Sequence, residues 1–177
     1  MSITATLFPA EQNSNCSPIV TGLSYDWASM KAQVDNLSPQ GATNQPIGLV
    51  WGWQSLVGGG PLTAPAKDSN YTYTDVIILL SDGLNTQDRW YGNGSTTNTS
   101  VDARMYDSSG KGTCANIKAT GVTIYAIQVN TGGDPTSTLL QNCATAPDKF
   151  FLLTSATQII TTFDAIGTNL TKLRIAQ

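Results

Sequence analysis

The chain has 177 residues, of which 12% are charged, a net charge of −3 and no histidine. That length fits one domain, and the charge pattern offers no basic patch for a nucleic-acid partner. Without histidine there is no Ser-His-Asp relay, no His-based zinc site and no imidazole general base, so any catalysis would rest on carboxylates or a bound metal.

The opening stretch SITATLF (2–8) alternates and predicts a strand ended by Pro9, followed by a loop over 10–18. Ser24 is placed to cap a helix over 25–37, where Trp27, Met30, Val34 and Leu37 recur at helical spacing before Pro39. In QGATNQPIGLVWGWQSLVGGG a turn leads to Thr43 or Asn44 at an N-cap. Pro46 falls near the first helical turn, Ile47, Val50 and Trp51 form an apolar face, and Gly58 to Gly60 end it. Trp51 and Trp53 read as helix-packing aromatics. A polar, proline-bearing linker (61–73) precedes VIILL (76–80), a continuous apolar run that suits a central strand covered on both faces. Residues 84–112 read as a long polar loop, whose Trp90 and Tyr91 are candidates for the rim of a contact surface.

TCANIKATG predicts a short helix closed by Gly121, VTIYAIQV (122–129) a second strand, PTSTLLQNCA another short helix and KFFLL (149–153) a third strand. The tail is the clearest helix: Ser155 stands at its cap, and Ile159, Phe163, Ile166, Leu170 and Leu173 step along one face. Strands alternating with helices indicate an α/β fold with a mostly parallel sheet. Cys16, Cys114 and Cys143 form no C-x-x-C pair. They read either as free thiols or as a Cys114–Cys143 bridge, which is favoured because both lie in polar segments on either side of one strand.

The chemistry concentrates at VIILLSDG. Ligands of open α/β sheets sit beyond the carboxyl ends of the strands, and Asp82 stands at such an end, with Gly83 letting the chain turn away. Asp82 reads either as a turn former or as an oxygen ligand to a hard cation such as Mg²⁺. Thr43 is a second oxygen donor of the right kind, or simply an N-cap. An alternative is a metal-dependent hydrolase in which Asp82, with Asp75, Asp88 or Asp102, holds a cation that activates water.

VIILLSDGLNT, GATNQPIGLVWGWQSL, GVTIYAIQVN and FFLLTSATQIITTFDAIGTNLTKLRIAQ together resemble a von Willebrand factor A domain. More narrowly, they resemble the A domain of TadG-like proteins of bacterial tight-adherence (Tad) pilus assembly. The resemblance covers nearly all of 1–177, read as a single, partial domain that starts just before the family's third strand. It implies a doubly wound, mostly parallel sheet with helices on both faces. It also implies a metal-ion-dependent adhesion site to which Thr43 and Asp82 contribute, holding Mg²⁺. The family's Asp-x-Ser-x-Ser loop has no match: DSSGK (107–111) begins like it, but Lys111 stands where the last serine belongs. The function implied is a non-catalytic, protein-binding module of cell-envelope pilus assembly or adhesion. It would be periplasmic or extracellular and tethered through a membrane segment outside this chain. A sheet lacking strands also predicts self-association through exposed edges, unless 2–8 rests beside 75–81.

Overall fold

The computed structural model describes residues 19–38, 41–57, 62, 64–87 and 97–172. The expected strand at 2–8, Cys16, Asp88, Trp90, Tyr91 and Leu173 lie outside the described residues. Those described form six α-helices and three β-strands of α/β type.

The sheet is built from β1 (Val76–Ser81), β2 (Thr123–Val129) and β3 (Phe150–Leu153), in that order and all parallel. Val76 pairs with Thr123 and Ala126 with Phe150. β2 lies in the middle, and its five inner residues Ile124 to Gln128 are all buried. The run at 76–80, expected to be central, is therefore an edge strand among the described residues, and Leu80 is 47% exposed. An apolar run reports that both faces are covered; it does not report how many neighbours lie beside it in the sheet.

Alternation along each strand divides the core in two. On one face Ile77, Ile124 and Ala126 pack with Leu49, Met105, Ile117 and Leu140. Those four come from α2 (Gln45–Val57), α3 (Thr99–Met105), α4 (Thr113–Ala119) and α5 (Thr138–Cys143). On the other face Tyr125, Ile127 and Leu153 pack with Ile166 of α6 (Thr157–Lys172). Val76 and Ile78 belong to this second layer. α4 and α5 are joined by a disulfide, Cys114–Cys143, both of whose residues are fully buried.

Helix boundaries follow caps more than the apolar rhythm. α1 (Trp27–Asp35) is capped by Asp26, two residues after the expected Ser24, and the Asp26 carboxylate accepts from Ser29 N; Ser24 Oγ instead accepts from Asp26 N. None of its residues is buried, and Trp27 and Val34 stay 70% and 65% exposed. α3 lies inside the stretch read as loop. Asn98 caps it by accepting from Ser100 N and Val101 N, and only Val101 and Met105, four apart, enter the core. At the start of α6, Gln158 Oε1 accepts from Thr154 N and Ser155 N, the glutamine half of a capping box. After α4 the chain turns at Gly121, φ 84°, as expected of a closing glycine. No helix among the described residues is long and apolar enough to cross a membrane.

Candidate functional site

The carboxyl ends of β1 and β2 open into a cleft of about 610 Å³. Its floor is set by where the strands stop. Ser81 closes β1, and Asp82 and Gly83 follow into the opening. Across from them, Gln128 holds the loop after β2: its Nε2 donates to Pro135 O and its Oε1 accepts from Ser137 N. Asn130 closes the same loop, accepting from Asp134 N and donating to Asp134 O. Amide side chains thus replace the ladder where the strands diverge, so that buried backbone groups stay paired.

The loop before α2 is bound to the loop after β1. Thr43 O accepts from Thr86 N at 2.9 Å, and Thr43 N donates to Thr86 Oγ1 at 3.0 Å. The first turn of α2 is capped from a distance: Gln45 N donates to Asn85 Oδ1 at 2.7 Å. Asn44 stands at the N-cap position as expected, immediately before Gln45, and its Nδ2 donates to Gln87 O. Asn85 is 1% exposed, and its Nδ2 donates to Asp102 Oδ1 at 2.8 Å, which draws α3 to the same rim. Gln45 is buried too. Its Nε2 donates to Ser81 Oγ and Gly83 O, and its Oε1 has no hydrogen-bond partner among the described residues.

The structure therefore brings the loops carrying Thr43 and Asp82 together, bonded across 43–45 and 81–86. Asp82 is exposed and lines the cleft; Thr43 is half-buried and does not line it. Of the other carboxylates named from sequence, Asp102 joins Asp82 in the cleft. Asp75 sits before β1, at the strand's opposite end, in an ion pair with Lys67 at 2.6 Å. DSSGK is an exposed turn after α3. Asp107 Oδ1 accepts from Ser109 N, Ser109 Oγ and Lys111 N, and the Ser109 hydroxyl foremost, then the Lys111 N–H, hold its carboxyl below the usual range. Gln45, Asn85, Gln128 and Asp134 were not legible as site residues. Asn85 stands in a sequence of turn formers, and only its burial shows that it links three elements.

The donors lining this cleft include oxygens: the Asp82 and Asp102 carboxylates and Gln45 Oε1, which has no hydrogen-bond partner among the described residues. That set suits a hard cation in chemistry. No group of three or more His, Cys, Asp or Glu converges among the described residues.

A second hollow, about 530 Å³, lies between α2, α3 and α4. Trp51, 37% exposed, lines it, whereas Trp53 packs against the core. On the far side of α4, Lys118 Nζ donates to Asn142 O and Ala144 O at the end of α5, and its partial burial lowers its pKa.

No protein-family model matches this chain, and no curated protein matches it. Among solved structures it is similar to proximal thread matrix protein 1 from the mussel byssus, at 21% identity and a TM-score of 0.44. The match covers 78% of this chain and 27% of that one, so the chain spans about a quarter of that protein's length. A likeness this distant carries no functional argument.

Proposed function

We propose that this chain is a non-catalytic, protein-binding module of von Willebrand A type, with a doubly wound sheet, from a cell-envelope pilus-assembly or adhesion protein. The observation that carries this reading is the bonding of the Thr43 loop to the loop that follows Asp82, at the carboxyl end of a parallel sheet. A buried disulfide supports an oxidising compartment, periplasmic or extracellular. In this reading Asp82 and Thr43 hold Mg²⁺, with water filling the remaining positions. When bound, the ion supplies a positive centre to which a partner's acidic group is drawn. Asp82 presents its carboxylate at the exposed end of a rigid strand, and the Asn85–Asp102–Gln45 network keeps the two loops in register.

The test is calorimetric titration of MgCl₂ into the protein, paired with capture of envelope proteins with and without chelator. Asp82→Asn combined with Thr43→Val should abolish both the heat of ion binding and the chelator-sensitive capture. Unchanged capture by the double variant would sink the reading.

One observation favours a second reading, a metal-dependent hydrolase: Asp82 and Asp102 line the same cleft. Turnover of phosphate or ester substrates with Mg²⁺ or Mn²⁺, lost in Asp82→Asn, would select it.

A further inference from the structure

Among the described residues, β1 leaves one edge of the sheet without a neighbouring strand. Thr123 N donates to Asp75 O, and β1 and β2 keep register from Val76↔Thr123 to Ser81↔Gln128. In a parallel ladder the residues that bond a given neighbour alternate. Asp75, Ile77, Leu79 and Ser81 therefore turn their N–H and C=O toward β2, and Val76, Ile78 and Leu80 turn theirs away. Those outward groups meet no backbone partner among the described residues. Such an edge is a template for another strand.

We propose that a second copy of this chain occupies it, β1 lying antiparallel to β1 about a two-fold axis at Ile78, so that two sheets become one. Three features select a copy of the same strand. First, Val76–Ser81 holds no charge, glycine or proline, so nothing in it repels or interrupts a copy of itself. Second, the outward residues are symmetric about Ile78. An isologous contact places Val76 against Leu80 of the second copy, Ile78 against Ile78, and Leu80 against Val76. Each is a pair that exchanges both of its N–H···O bonds.

Third, the side chains fit that register. Val76 and Ile78 face the α6 layer, and alternation puts Leu80 on the same face, where it is 47% exposed. In the register proposed, Leu80 is covered by Val76 of the second copy, an apolar cross-strand pair. The flanking carboxylates do not oppose each other: Asp75 falls opposite Ser81, and Asp82 opposite Thr74.

Sedimentation equilibrium of the whole chain tests this, with cysteine cross-linking in a Cys16→Ser background to read the register. The wild type should be a dimer, and Leu80→Lys, which changes an exposed side chain, a monomer. Ile78→Cys should cross-link to itself with a short thiol reagent, because hydrogen-bonded antiparallel partners stand about 5.5 Å apart. Leu80→Cys alone should not. If Ile78→Cys fails to fold, Val76→Cys and Leu80→Cys chains are mixed; each should cross-link to the other and not to itself. A wild-type monomer at every concentration overturns the proposal, including one in which another segment of the chain covers the edge. So does a dimer that survives Leu80→Lys, or one whose cross-links follow a different register.

Discussion

Replacing Cys114 and Cys143 together by alanine removes the covalent tie between α4 and α5. The two cysteines are separated by 29 residues in sequence, and the loop they close contains all of β2. In the chain-entropy account, a loop of that length restricts the unfolded state by about 3.6 kcal/mol at 25 °C. A domain of ordinary stability has only about 5–15 kcal/mol in total, so the loss is a large fraction of it. Both side chains are fully buried, and alanine adds a small cavity cost of the same sign.

The assay is urea unfolding of the wild type and the double variant, followed by far-ultraviolet circular dichroism. Two outcomes are expected: a fall in unfolding free energy of about 3–4 kcal/mol, and a larger denaturant slope, because the unlinked chain exposes more surface when it unfolds. A loss below about 1 kcal/mol with an unchanged slope would refute the argument that the bridge acts by restricting the unfolded chain.

Asn85→Ala should cost about 2–4 kcal/mol, since it leaves Gln45 N–H buried without an acceptor and takes a donor from Asp102; thermal unfolding reads this directly. Gly112 has φ 105° and ψ 168°, a region reserved for glycine, and an added Cβ would stand 2.9 Å from Met105 O. Gly112→Ala should therefore cost about 1–3 kcal/mol. Gly121→Ala, with positive φ but open space, should cost about 1 kcal/mol, and a smaller cost at 112 than at 121 would contradict the steric argument. The Asp107 carboxyl is held below its ordinary value by Ser109 and then Lys111. Its contribution is therefore present above the unfolded pKa and is lost as pH falls through the folded one. NMR titration should place its midpoint below that of an unstructured aspartate, and Ser109→Ala should raise it.

What the amino-acid order determined by itself is mostly local. VIILL, VTIYAIQV and KFFLL are apolar, β-rich runs bounded by turn formers, and each is a strand. Ile159, Ile166 and Leu170 on one face give α6, and Gly121 gives the stop after α4. The pairing of Cys114 with Cys143 was legible because polar segments on both sides of a strand are brought back together when that strand is threaded into a sheet. Asp82 at the end of β1 was legible for a similar reason: the end of an apolar run marks where the sheet opens. Only the tertiary structure decided the rest. Among the described residues Val76–Ser81 is an edge strand, because neighbours in a sheet are distant in sequence and leave no mark on a run's composition. α3 hides in a polar stretch, because two residues four apart suffice when three other elements complete the core around them. Asn85 caps α2 across 40 residues of chain, and no local pattern records a bond whose two ends meet only after α2 and β1 between them have packed together.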